Sequence, residues 1–173
     1  VSAEAGISVG LIYRYFENKE AVISAMADRH KKEISEVLQR AKQAPTLLES
    51  LEILFTAHCC EEETGVVSAF VVDLYSEASR NPRVADLVRD VLQTAMTGVT
   101  ELISKAPEAQ NTTRGLSPTE MAELIFAVAR GMLMLDVLRP QEMTAAERRE
   151  RQLQVTRRLW SCLFKPEAEL VYA

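Results

Sequence analysis

Apolar residues recur along this chain with a period near 3.6 and never settle into alternation, so each stretch between breakers predicts a helix. The longest runs from Asn18 to about Gln43. In it Val22, Ala25, Met26, Ile34, Val37, Leu38 and Ala41 trace one stripe, broken at its middle by Arg29, His30 and Glu33. A stripe of that kind predicts two halves with different neighbours. Pro45 ends the helix and Thr46 caps the next, which carries Leu47, Leu48, Leu51, Leu54, Phe55 and His58 as far as about Glu63. Val66 to Arg80 is apolar round most of its circumference, which predicts deep burial, and its β-branched residues would also suit a strand. Asn81 and Pro82 turn the chain, with Pro82 pre-set for the first turn of a helix that reaches about Lys105 through Val84, Leu87, Val88, Val91, Leu92, Ala95, Val99, Leu102 and Ile103. The polar run from Ala106 to Leu116 predicts a surface loop. Ser117, Pro118 and Glu120 have the spacing of a capping box and open a helix over 118 to 139; Thr144 caps the last, 145 to 165, which sets Leu153, Thr156, Leu159, Trp160 and Leu163 opposite a row of arginines. The fold class is therefore all-α, with a helical bundle as its body.

Length and charge narrow the picture. At 173 residues, 47% hydrophobic and 26% charged, the chain has the make-up of a globular protein with a sizeable core. No apolar run approaches the ~20 residues that a membrane span needs, and no signal peptide opens the sequence, so the expected location is cytoplasmic with no membrane partner. The net charge of −5 argues against a nucleic-acid partner until it is divided along the chain. Residues 1 to 44 hold seven Lys or Arg against six Asp or Glu, so the acidic excess lies in the remainder and a neutral head is free to approach phosphates. Cys59, Cys60 and Cys162 make an odd number without framework spacing, the pattern of reduced thiols.

The head carries the sharpest signal. Ala5, Gly6 and Ile7 separate one helix from the start of another at Ser8, whose hydroxyl can cap the new helix. Leu11, Ile12, Tyr15 and Phe16 then recur at helical spacing, and Asn18 caps the third helix with Lys19 in its first turn. From Ala5 to Val22 this string resembles the DNA-binding core of the tetracycline-repressor (TetR) family of bacterial regulators: small-Gly-hydrophobic-Ser, then Leu/Ile-Tyr-x-Tyr/His-Phe, then x-Asn/Ser-Lys-Glu. The resemblance implies a helix-turn-helix, three-helix DNA-binding domain, here over residues 1–44 and incomplete at its N-terminus, with one further helix and most of another expected before Val1. It implies base and backbone contacts from Ser8, Val9 and Gly10, a contact aromatic at Tyr13, phosphate contacts from Arg14 and Tyr15, and an anchoring lysine at Lys19. Val9 stands where a polar or basic side chain often reaches a base, so its readout would be a thymine methyl contact.

Residues 45–173 then form a helical ligand-binding and dimerisation domain. The helices over 118 to 139 and 145 to 165 are apolar on more than one side, which predicts a homodimer through Met121, Ile125, Val128, Met132, Leu153, Thr156, Trp160 and Leu163. The remaining helices would enclose a cavity lined by Phe55, His58, Cys59, Phe70, Leu74, Met96, Phe126, Arg130 and Met134, where Arg130 would favour an acidic effector. His58, Cys59, Cys60 and Glu61 to Glu63 resemble a metal cluster only in one dimension: adjacent helical positions point about 100° apart, which leaves two ligands for any one ion. No Ser/His/Asp order, glycine-rich phosphate loop or paired carboxylates suggest an enzyme, and no cofactor is expected. The reading that follows is a bacterial transcription regulator, a repressor released from operator DNA by a small-molecule effector. Its rival is a helical sensory or protein-binding module that does not engage DNA.

Overall fold

The computed structural model describes residues 14–59, 64–109, 115–138 and 143–164. Six α-helices make up the described body: α1 (Lys19–Ala41), α2 (Leu47–Cys59), α3 (Thr64–Ala78), α4 (Pro82–Lys105), α5 (Pro118–Leu138) and α6 (Ala145–Leu163). A short 3₁₀ turn, Pro107–Ala109, follows α4. No strand occurs among the described residues.

The starts of these helices are set by local chemistry. Asn18 takes an extended backbone and accepts a hydrogen bond from the Ala21 amide at 2.8 Å, capping α1. Thr46 accepts from the Glu49 amide at 3.2 Å. Asn81 accepts from the Arg83 amide at 3.1 Å, with Pro82 filling a first-turn position whose N–H has no partner within a helix. At α5 the Ser117 hydroxyl accepts from the Glu120 amide while the Glu120 carboxylate takes the Ser117 amide at 2.7 Å. Thr144 and Glu147 repeat that reciprocal box at α6. In both boxes, bonding to the carboxylate holds the glutamate pKa below its ordinary value.

α1 and α4 form the pair on which the body is built. α1 packs along α4 and then α2, and α4 in turn carries α3 and α5 on its other sides, while α6 lies on α2. Only the second half of α1 enters the core, through Ile34, Val37, Leu38 and Ala41, as the broken stripe predicts. Ser50 closes the α1–α2 corner by donating its hydroxyl to the Ala41 carbonyl at 2.9 Å, one of the acceptors that a helix end leaves without an intrahelical partner. The main core joins Ile34 and Leu38 to Leu51, Val99, Ile103, Met121, Ile125, Trp160 and Phe164. A smaller cluster around Phe55 and Leu133 holds Met132 and Leu153.

Two expectations are corrected. α3 is a helix, and its described side chains are half-buried or exposed rather than deeply buried, because it packs mainly on α4 and α5 at the side of the body. The stretch after α4 is not simply a surface loop: the 3₁₀ turn folds Ala106 and Ala109 back into the core. Of the eight predicted dimer residues, four are buried within the single chain and four are half-buried against its clusters. Met121, Ile125, Thr156 and Trp160 are buried, Val128 and Leu163 pack on the main core, and Met132 and Leu153 pack on the smaller one. Periodicity marks a helix as apolar on two sides without saying which side turns inward. What α5 and α6 leave exposed is a different set: Leu124, Leu135 and Leu138 on α5, and Val155 on α6.

Candidate functional site

The site has two ends joined by α1. At the head, Arg14 and Tyr15 are helical and exposed, Tyr15 by 78%. Lys19 begins α1 and is two-thirds exposed, as a phosphate-binding lysine must be. Ser8, Val9, Gly10 and Tyr13 lie outside the described residues.

Lys19 is already engaged with the body. Its Nζ lies 3.1 Å from a carboxylate oxygen of Glu77, near the end of α3. That pairing, reinforced by Arg80, holds the Glu77 carboxyl below its ordinary pKa. One residue on, Glu20 receives the Asn81 side-chain amide at 2.9 Å and the Arg83 guanidinium at 3.1 Å, and those bonds lower its pKa in the same way. Asn81 therefore does two jobs with one amide: its oxygen caps α4 and its nitrogen holds the start of α1. The turn at Asn81 and Pro82 was legible in the sequence; its second contact was not, because Glu20 stands sixty-one residues away.

Further along α1, Lys31 bonds Asp90 of α4 at 2.7 Å, and at the C-terminal end Lys42 meets Glu101 at 2.9 Å. Between Lys105 and Lys42, the Glu101 carboxyl is held down to about 2. Each of these pairs has at least one partner well exposed to solvent, so they register α1 against its neighbours more than they stabilise the fold.

The other end of the site is a cavity of about 60 Å³. α1 supplies Ile34, Val37 and Leu38 to its wall, and α2 supplies Leu51, Leu54 and Phe55. Ala95 and Val99 of α4 form the floor, and Ile125, Phe126 and Ala129 of α5 face Trp160 of α6. Five helices thus meet at one apolar space. Leu54, Phe126 and Ala129 are only half-buried, so the space reaches the surface between α2 and α5. Among the predicted ligand residues, Phe55 and Phe126 line it. Phe70, Leu74, Met96 and Met134 are partly buried and lie elsewhere, Met96 against the main core. Arg130 does not face the cavity either; its guanidinium sits 5.9 Å from the ring centroid of Tyr75, joining α5 to α3 by a cation–π contact. The side chains of His58 and Cys59 lie outside the described ones. Sequence reasoning missed Trp160 here by assigning it to a twin, although a lone tryptophan on a core face was signal enough to place it inside.

Among the described residues no three His, Cys, Asp or Glu side chains are grouped as metal ligands, and no helix is long and apolar enough to cross a membrane.

Residues 1–26 match the model of a family described as bacterial regulatory proteins, tetR family. No curated protein matches the chain. Two solved structures share its fold. Salmonella enterica GusR is 21% identical with a TM-score of 0.67, over 94% of this chain and 81% of that one. The transcriptional regulator FadR from Bacillus subtilis, solved in complex with stearoyl-CoA, is 16% identical with a TM-score of 0.61, over 89% and 83%. The chain thus joins a segment that matches the tetR family of bacterial regulatory proteins, over residues 1–26, to a helical body that shares its fold with GusR and FadR.

Proposed function

We propose that this regulator works as a homodimeric repressor on palindromic operator DNA, and that a small molecule entering the body's cavity releases it. The observation that carries the reading is that a single helix holds both ends of the site. Lys19 is the first residue of α1, and Ile34, about 22 Å further along the axis, is cavity wall. A rod tied to α4 by ion pairs cannot shift at one end and stay put at the other. A ligand that fits one position of α1 better than another therefore biases where the head sits, by no more than its difference in affinity for the two. FadR, of the same fold, was solved in complex with stearoyl-CoA, which supports reading this chain as one that answers to a ligand.

For the dimer, the support is the apolar stripe that the single chain leaves uncovered. Leu124, Gly131, Leu135 and Leu138 fall within roughly 60° of one another round α5. A Cβ at Gly131 would meet nothing within 4 Å, so the glycine leaves α5 room for close approach by a second helix.

The test is binding of the protein to duplex DNA from its own promoter region, followed by fluorescence anisotropy at increasing salt. Arg14 and Lys19 from two protomers give four phosphate charges, so log K should fall with log salt at a slope of about −3.6. Affinity no better than for an unrelated duplex at every salt concentration would favour the protein-binding rival instead.

A further inference from the structure

Trp160 is 98% buried, and its indole N–H meets no acceptor among the described residues. Buried donors are almost always paired, because leaving one unmade forfeits its hydration without return. This one belongs to a residue that lines the five-helix cavity, whose other described side chains are all hydrocarbon. A water is a poor partner for it: buried waters are held by two to four polar groups, and no second polar side chain lines this wall. A carboxylate is poorer still, since no cation lines the cavity and Arg130 is committed to Tyr75.

We propose that the cavity binds a neutral, largely apolar small molecule with one hydrogen-bond acceptor, such as a ketone, ester or ether oxygen, which receives the Trp160 indole N–H. This rests on the ligand-responsive reading above and replaces the acidic effector that Arg130 suggested from sequence. The space of about 60 Å³ accommodates roughly two waters' worth of volume and the indole nitrogen itself has no accessible surface, so a ligand enters, and its acceptor reaches the N–H, by displacing side chains at the half-buried rim, Leu54 and Phe126. The apolar wall supplies affinity and the single N–H sets orientation, the usual division of labour in a small-molecule site.

The chain contains one tryptophan, so a protein labelled with ¹⁵N at the indole nitrogen gives one indole resonance, and that resonance is Trp160. It is titrated, without DNA, with three probes of similar shape: cyclopentanone, methylenecyclopentane and cyclopentanecarboxylate at pH 7.5. The ketone is expected to move the indole proton downfield and to saturate, binding roughly five- to tenfold more tightly than the alkene that lacks its oxygen. The carboxylate is expected to leave the resonance in place. In Trp160→Phe, followed by the rise in Tm on adding each probe, the advantage of ketone over alkene should vanish while both still bind. An indole resonance unmoved by the ketone, equal affinity for ketone and alkene, or preference for the carboxylate would each overturn the proposal. Because no DNA is present, these outcomes are independent of operator binding: a ligand site can fail while the regulator reading stands, and the reverse.

Discussion

Gly98 of α4 is the tightest point between the lever and the body. A Cβ built there would lie 2.3 Å from Leu38 Cδ1, 2.7 Å from Cδ2 and 3.0 Å from Cγ, so Gly98→Ala cannot be accommodated without moving Leu38. Both positions are buried, and Leu38 is also cavity wall. Two effects oppose each other. Replacing glycine inside a helix gains about 1 kcal/mol from propensity, while overpacking a core costs about 1–3 kcal/mol. The net is a loss of up to about 2 kcal/mol, a fall in Tm of a few degrees for a chain of this size. A double-mutant cycle isolates the cause. Leu38→Ala alone costs about 2–5 kcal/mol by leaving a void, which urea melts should resolve within a two-state window. In that background the alanine at 98 has room, so Gly98→Ala should change sign and stabilise by about 1 kcal/mol. The reasoning is refuted if Gly98→Ala destabilises equally in both backgrounds, or stabilises the wild type. The displaced Leu38 should also crowd the cavity and weaken cyclopentanone binding in the single variant.

Three further outcomes follow from the same contacts. Glu77→Gln removes the body's charge from Lys19, so operator affinity should rise a few-fold, measured by anisotropy at low salt; unchanged affinity would mean that the pair does not compete with phosphate. Glu101, ordinarily near 4.5, is lowered to about 2, so its contribution is fully present above the unfolded value and is lost as pH falls through the folded one. Acid titrations of Tm should therefore show a loss between about pH 5 and pH 2 that Glu101→Gln makes shallower, and equal slopes would contradict it. Leu135→Glu places a charge in the exposed stripe of α5 without touching the core, so sedimentation velocity should show a folded monomer, whereas Trp160→Phe should leave a dimer intact.

Local chemistry was enough for much of this protein. Asn18, Thr46, Asn81 with Pro82, Ser117 with Glu120, and Thr144 each mark a helix start by chemistry confined to three or four neighbours, and all five mark one in the structure. The family signature of the head was legible for a related reason: its residues lie together in one short string, and residues 1–26 match the family's model. What pairs across the chain was not. Glu20 with Asn81, Lys19 with Glu77 and Lys42 with Glu101 join residues some sixty apart, and any of several exposed charges would have looked as suitable. Only the packing of α1 along α4 chose among them. The two-faced helices α5 and α6 show the same limit. A 3.6-residue period reports that a side is apolar, but burial is decided by which neighbouring helix fills it, and that choice took Trp160 from the expected dimer seam to a cavity wall.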